Sequence, residues 1–320
     1  MAKRVLGPHA LAVVQAVRAA VDSATGVVVG CSGGPDSLAL AAGVAHAGVP
    51  ARAVVVDHRL QAGSRAVAER VRVQLEPRGL PVEIVPVEVP ESPSGPEASA
   101  RAARYAALTS AMRPQELLLL GHTRDDQAEQ VLLGLARGSG ARSLAGIPPV
   151  RDLPGEGRLA RPLLHLRRAD TEAACAEWGL DPWHDPHNAD PSFTRVRVRD
   201  IVLPHLEEQL GPGITDALAR TADQIREDAD LLDRLTDEHM AAHHLHPIPD
   251  ALPVHTLDAP TAITTRVLRR WLIHHGAKEP GHGHVQEVLR LVTDWHGQKS
   301  VHVPGLKVGR SRGHLQVMSD

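Results

Sequence analysis

Apolar positions in the first half of the chain alternate between short continuous runs and longer stretches at helical spacing. Residues 10–21 carry apolar side chains at helical intervals. Residues 26–31 (GVVVGC) read as a short buried strand, followed by a Gly-rich turn and an Ala/Leu helix over 37–46. Residues 53–57 read as a second strand, 64–78 as a helix, and 82–89 as an alternating strand. A helix over 97–112, which Pro96 can start, a buried strand over 116–121 (ELLLLG) and a helix over 125–137 complete the series. Near-continuous apolar strands alternating with helices predict an α/β fold, a doubly wound parallel sheet covered on both faces. Such sheets place ligands in the loops beyond the C-terminal ends of their strands.

The pattern weakens after residue 150. Residues 180–200 are rich in Pro, His, Asp and Arg and read as an ordered loop before a helix. A long helical pattern covers 213–245, and the Pro-punctuated stretch 246–260 reads as a connector. Helices are predicted over 261–275 and 284–295. Residues 301–303 and 315–317 flank a Gly-rich turn, like a small hairpin. The expectation is a larger domain over 1–212 and a smaller, mainly helical C-terminal domain over 213–320.

Composition narrows the function. A chain of 320 residues with 42% hydrophobic content can bury two cores. Aromatic residues make up 2%, so Leu, Val, Ile and Ala must fill those cores. The formal net charge of −3 argues against a uniformly basic nucleic-acid coat but leaves room for a local basic patch. Cys31 and Cys175 are the two cysteines and form no CxxC pair. That argues against a zinc ribbon, a disulfide scaffold or a cysteine-held iron–sulfur cluster. Both thiols read as small buried apolar groups. Met1-Ala2-Lys3-Arg4 is followed by no long apolar run, and no segment approaches the roughly 20 apolar residues of a membrane helix. The expectation is a cytoplasmic protein with no membrane partner. Twelve of the twenty histidines lie beyond residue 238, and they read as solvated surface rather than metal ligands.

The strongest chemical signal is the loop Ser32-Gly33-Gly34-Pro35-Asp36-Ser37, directly after the first strand. Gly33 and Gly34 let main-chain N–H groups approach an anion, and Ser32 and Ser37 add hydroxyl donors. The helix starting near Asp36 points its positive end at the same spot, which makes a phosphate nest. GxxxxGK[ST] is absent, so this is not a Walker A loop. Asp36 would repel phosphate unless a cation stood between them, and Mg2+ suits that place.

SGGPDS after an apolar strand resembles the PP-loop of the ATP pyrophosphatase superfamily. The resemblance implies an adenine-nucleotide α-hydrolase-like fold, adenylation of a carbonyl-type oxygen, and release of pyrophosphate. The other motifs select among its members. Val56-Asp57-His58-Arg59-Leu60 ends the second strand beside the loop, a natural place for adenosine contacts by Asp57 and His58. Arg101, Arg104 and Tyr105 share a helix face. Gly121-His122-Thr123-Arg124-Asp125-Asp126-Gln127-Ala128-Glu129 brings carboxylates to the sheet edge, where they suit a metal or an ammonium group. Arg137-Gly138-Ser139-Gly140-Ala141-Arg142 suits a polyanion.

These blocks, in this order, resemble the tRNA(Ile)-lysidine synthetase family. So do Arg161-Pro162-Leu163-Leu164, Asp185-Pro186-His187-Asn188 and Arg195-Val196-Arg197-Val198-Arg199 with Leu203-Pro204. The resemblance covers 26–210, as in a short-form member. Thr123, Gln130 and Val196 stand where many members have His, Thr and Asn. The family implies ligation of L-lysine to carbon 2 of the wobble cytidine in an isoleucine tRNA with a CAU anticodon. ATP is the co-substrate, Mg2+ the cofactor, and a homodimer is left open. The first domain then holds ATP on Ser32, Gly33, Gly34, Pro35, Asp36 and Ser37, and Asp36 with Asp126 holds Mg2+. The lysine ε-amine, with a free pKa of about 10.4, needs a carboxylate to bind and deprotonate it. Asp126 and Glu129 are the candidates, and Arg104 would stabilise charge on the transferring phosphate or the base oxygen. Arg137, Arg142, Arg195, Arg197 and Arg199 are the candidate tRNA contacts. An extended backbone would aim Arg195, Arg197 and Arg199 one way, whereas a helix would scatter them.

Three rivals remain. A tRNA thiolase of the same superfamily would need cysteines to deliver sulfur. A catalytically silent nucleotide- or RNA-binding module would not need Asp36, Asp126 and Glu129. An amide-forming synthetase such as a GMP synthetase would need a glutaminase segment with a nucleophilic cysteine.

Overall fold

The computed structural model describes residues 6–22, 24–59, 63–89, 96–153, 157–185 and 189–318. Met1-Ala2-Lys3-Arg4, Leu60 and Pro186-His187-Asn188 lie outside the described residues. The chain forms two compact units, Met1–Leu133 with Gly146–Arg220, and Gly134–Ala145 with Thr221–Asp320. The division after Arg220 falls inside a helix rather than at 212, and the Gly-flanked segment 134–145 groups with the C-terminal residues.

In chain order the elements are α1 (Pro8–Val21), β1 (Val27–Gly30), α2 (Pro35–Ala47), β2 (Ala51–Asp57), α3 (Ser64–Leu75), β3 (Val82–Pro86), α4 (Pro96–Ser110), β4 (Leu117–Leu120) and α5 (Arg124–Ala136). They continue with α6 (Ala141–Leu144), β5 (Val150–Asp152), β6 (Arg158–Ala160), α7 (Arg168–Trp178), α8 (Thr194–Arg197), α9 (Leu203–Leu210) and α10 (Ile214–Ala242). The first unit holds a six-stranded sheet in the order β3-β2-β1-β4-β6-β5. All neighbours pair in parallel except β5 and β6. This short β5–β6 edge is absent from the sequence-based expectation, because three-residue strands carry too few positions to show a period.

Register explains where the site must be. Gly30 of β1 pairs with Val54 of β2 on one side and with Leu120 of β4 on the other. The loop after β1, the tip of β2 and the segment after β4 therefore emerge at one edge of the sheet. Strand order reverses between β1 and β4, and a crevice opens there in sheets of this type. Within α2, every residue from Ser37 to Val44 is buried, so this helix is fixed as a rigid base behind the loop. The core against it contains Val13 and Val17 of α1, Val27 and Val29 of β1, and Ala174 and Cys175 of α7.

Between 190 and 210 the structure departs from an extended reading. Phe193 precedes α8, which continues through a π-helical turn over Val198–Val202 into α9. Arg195, Arg197 and Arg199 are thus helical and do not share one direction.

The second unit packs part of α10 with α11 (Thr261–His274), α12 (His282–Thr293) and a four-stranded antiparallel sheet. Its strands are β7 (Ala251–Pro253), β8 (Val301–Val303), β9 (Leu306–Ser311) and β10 (His314–Met318), in the order β7-β10-β9-β8. The predicted hairpin is therefore larger than expected. The Gly-rich stretch contains a strand of its own, β9, and the Pro-punctuated connector supplies β7. Trp271, 1% exposed, centres this core and donates its indole N–H to the Pro249 carbonyl at 2.9 Å. Not all C-terminal histidines are solvated surface. His239 and His275 bond the carbonyls of Thr256 and Pro249 at 2.7 and 3.2 Å. Among the described residues no helix is long and apolar enough to cross a membrane.

Candidate active site

The loop after β1 is organised by its own side chains. The Ser32 N–H donates to Ser37 Oγ at 3.1 Å, and that hydroxyl donates to the Gly34 carbonyl at 3.0 Å. Gly33 has φ of +88°, a left-handed conformation that favours glycine. Gly34 is the N-cap of α2 and Pro35 its first residue, where a missing N–H costs nothing. The Trp183 N–H donates to the Gly33 carbonyl at 2.9 Å, which pins a segment after α7 to the loop.

Gly121, after β4, lies against the start of α2. A Cβ built there would sit 2.8 Å from the Asp36 carbonyl oxygen and 3.1 Å from Ser37 Cα. Both neighbours are backbone and cannot rotate away. Gly121→Ala should displace the loop and weaken ATP binding by about tenfold or more, read as Kd by calorimetry. An unchanged Kd would show that the start of α2 yields freely.

Three carboxylates converge beside the loop. Thr171 of α7 donates its hydroxyl to Asp36 Oδ1. Arg168 Nε lies 3.5 Å from Asp36 Oδ2, and Arg168 Nη2 lies 3.4 Å from Asp126 Oδ1 and 3.6 Å from Glu129 Oε1. Burial pushes the Asp36 carboxyl up to about 6, with the Thr171 hydroxyl and Arg168 pulling the other way. Burial also acts on Asp126, but neighbouring charge, Arg168 foremost, more than offsets it and holds that carboxyl below the usual range. At the start of α5, Thr123 donates its backbone N–H and its hydroxyl to Asp126 Oδ2 at 2.8 and 3.1 Å. A threonine at 123 thus serves to aim Asp126.

Glu129 is 0% exposed. Arg199 Nε donates to it at 2.7 Å, and Arg195 Nε lies 3.1 Å away. The amine-binding role expected of Glu129 meets a side chain already enclosed by three guanidiniums. Arg195 and Arg199, four residues apart, converge on this acid, while Arg197 donates to the carbonyls of Pro191 and Ser192 at 2.7 Å each. Val196 between them is buried, and Gln130 Oε1 lies 3.5 Å from Arg195 Nη2.

A cavity of about 350 Å³ opens on the loop. Ser32, Ser37, Asp57, His58, Arg104 and His122 are among its lining residues. The Ser64 hydroxyl bonded to Asp57 holds that carboxyl below the usual range, and the Arg59 N–H donates to it at 3.1 Å. Burial, and then Arg104, lower the His58 pKa. Burial likewise takes His122 down to about 4, so the ring is neutral at pH 7. The Nδ1 atoms of His58 and His122 are buried without a hydrogen-bond partner. Burial and the neighbouring Arg101 lower the Arg104 pKa, and among the described residues no acid pairs with it. Unpaired, desolvated polar groups around one cavity suit a polar, anionic ligand that supplies the missing partners.

Asp36 and Asp126 fit a hard divalent cation. Each raises the other's cost of ionisation, as Asp126 does for Asp36. Mg2+ is commonly held by one or two carboxylates with phosphate oxygens completing the set. No group of three or more His, Cys, Asp or Glu side chains able to hold a metal occurs among the described residues, so phosphate and water would have to contribute.

Of the other expected positions, Arg137 is exposed, and Arg142 is paired with Asp230 at 2.7 Å and with Asp233. Both belong to the second unit. Sequence reasoning did not include Arg168, Thr171 or Trp183. Arg168 follows the quoted Arg161-Pro162-Leu163-Leu164 block by four residues, which was the available signal.

Comparison with known proteins agrees with this geometry. The PP-loop domain family matches residues 9–206, and the TilS substrate binding domain family matches 256–316. The tRNA(Ile)-lysidine synthase of Leifsonia xyli subsp. xyli is 50% identical over 301 residues, 90% of this chain and 88% of that protein. That of Salinispora arenicola is 47% identical over 98% of this chain and 97% of its own. Among solved structures, the U34-tRNA thiolase NcsA from Methanococcus maripaludis superposes with a TM-score of 0.53 over 68% of this chain and 80% of that one. Its 19% identity makes that a likeness of fold alone. With a phosphate loop, an acid cluster beside it and near-full-length relatives, the chain belongs to the tRNA(Ile)-lysidine synthase family.

Proposed function

We propose that this enzyme ligates lysine to carbon 2 of the wobble cytidine in an isoleucine tRNA with a CAU anticodon. ATP is consumed to AMP and pyrophosphate through an adenylated cytidine. The observation that carries the reading is the phosphate loop 32–37 standing beside the Asp36–Asp126 pair, in a chain about half identical to lysidine synthases.

ATP phosphates lie on the loop's N–H groups and the Ser32 and Ser37 hydroxyls, and adenosine takes the cavity beside Asp57 and His58. Asp36 and Asp126 would hold Mg2+, which supplies neutralisation of phosphate charge when bound. Arg104, cationic and without an acid partner among the described residues, faces the cavity and stabilises charge on the α-phosphate or on the cytidine oxygen. Once pyrophosphate has left, ionised Asp126 attracts the lysine ammonium. Glu129 stays committed to its arginines and acts by fixing Arg195 and Arg199. For tRNA phosphates, exposed Arg137 is the least engaged of the five candidate arginines, Arg142 and Arg197 must exchange existing partners, and Arg195 and Arg199 are held by Glu129. A cytoplasmic location accords with a tRNA substrate.

Sulfur transfer is a poor fit. Cys31 and Cys175 are 3% and 1% exposed. Burial, and then the Asp36 charge, push the Cys175 thiol up to about 12, which removes the thiolate that sulfur delivery needs.

Incubation with ATP, labelled lysine and CAU-bearing isoleucine tRNA should place label in that tRNA and not in its methionine counterpart. Pyrophosphate release that requires a sulfur donor instead of lysine would overturn the assignment.

A further inference from the structure

Asp36 is gripped on both oxygens by one element that no phosphate-loop motif includes. Thr171 takes Oδ1 and Arg168 takes Oδ2, three residues apart on the first turns of α7 and so on one face. The same Arg168 guanidinium reaches Asp126 at 3.4 Å and Glu129 at 3.6 Å, and its backbone N–H donates to Asp125 Oδ2 at 2.8 Å. One residue therefore touches four acids drawn from α2 and α5. Among the described residues, Arg195 and Arg199 form their ion pairs with Glu129 and none with Asp36 or Asp126, although the Arg195 charge also helps to lower the Asp126 pKa.

The contacts at 3.4 to 3.6 Å are longer than a bidentate fork. They describe a charge shared among three carboxylates. The Arg168 side chain is 20% exposed and those of Asp36 and Asp126 are 20% and 15% exposed, so water screens the cluster only weakly. Without a cation between them, two buried carboxylates would repel and turn apart. α7 can hold Arg168 firmly because it packs against both α1 and α2 through Ala174 and Cys175, and the Cys175 thiol lies 3.4 Å from the Pro35 carbonyl.

We propose that Arg168 is a positioning residue for adenylation. It is a tethered cation that holds Asp36 and Asp126 together at the phosphate loop in the orientation the transferring phosphate requires, with Thr171 fixing the second oxygen of Asp36. Arg168 acts through these carboxylates rather than on substrate. The proposal rests on the adenylating function proposed above.

The test is Arg168→Ala in the full chain, measured by pyrophosphate release, by ATP Kd and by thermal unfolding. The nest binds ATP through backbone and serine groups that Arg168 does not touch. KM for ATP should stay within about threefold while kcat falls by on the order of 30-fold, a loss confined to the transition state. Methylguanidinium at about 20 mM should restore kcat by at least about fivefold, and urea at the same concentration should not, because only the former carries the planar charge. An unchanged kcat overturns the proposal. So does a loss matched by the fraction unfolded, or one that methylguanidinium leaves untouched. If R168A does not fold, R168K carries the test. A single ammonium cannot span three carboxylates, so kcat should fall with KM and fold retained, and wild-type kcat in R168K overturns the proposal. Absent lysine transfer by the wild type counts against the lysidine reading alone, whereas the variant-to-wild-type ratio of pyrophosphate release judges Arg168.

Discussion

Replacing Asp36 by Asn should abolish pyrophosphate release, with a loss on the order of 1,000-fold, and leave the folded protein at least as stable as the wild type at pH 7. The two effects have one cause. Asp36 is a carboxylate kept where folding alone disfavours its charge, since burial raises its pKa from 3.8 to about 6. Between those values the folded state keeps a proton that the unfolded chain has released. Stability conferred at this site is therefore present below pH 4, falls as pH rises towards 6 and is level above it. D36N cannot ionise, so it should gain on the wild type across the same window. Roughly two pKa units set a ceiling of about 3 kcal/mol on that gain. Thermal unfolding at pH 4 and pH 7 reads the gain directly. A variant whose stability relative to the wild type is lower at pH 7 than at pH 4 would show that the charge is structural, and retained pyrophosphate release would remove Asp36 from the chemistry.

Glu129→Gln should have the largest effect on stability, a loss of about 3 to 5 kcal/mol. For a unit of this size that is a drop in thermal midpoint on the order of 10 °C. Glu129 is fully buried, and Arg168, Arg195 and Arg199 all lie within 3.6 Å of it. Glutamine keeps the volume but leaves three guanidiniums facing one neutral amide. A midpoint within about 2 °C of the wild type would show that Asp126 and solvent already balance the arginines. The loss should exceed that of Arg199→Met, which removes one of three cations and leaves the acid paired.

The first unit was largely legible because its signals are local. Val27–Gly30 and Leu117–Leu120 are unbroken apolar runs, and SGGPDS places its glycines and its helix start within six residues. Signals that failed were short or mixed. Leu306–Ser311 contains Gly309 and reads as part of a turn, although pairing on both sides makes it a central strand. The Arg195-Arg197-Arg199 alternation fits a strand, but α8 and its π-helical turn bury Val196 and Val198 and direct two of the arginines to Glu129.

What the sequence determined by itself is the phosphate loop and the sheet that carries it. Hydrophobic period and glycine placement act over a few residues, so strand, turn and helix follow from neighbours along the chain. Which charges meet could be decided only in three dimensions. Asp36, Asp126 and Glu129 lie on α2 and α5, and Arg168 reaches them from α7, more than 40 residues beyond Asp125. Only when the β1 and β4 ends align and α7 packs on α2 do these groups meet, and there burial raises the Asp36 pKa while neighbouring charges lower that of Asp126.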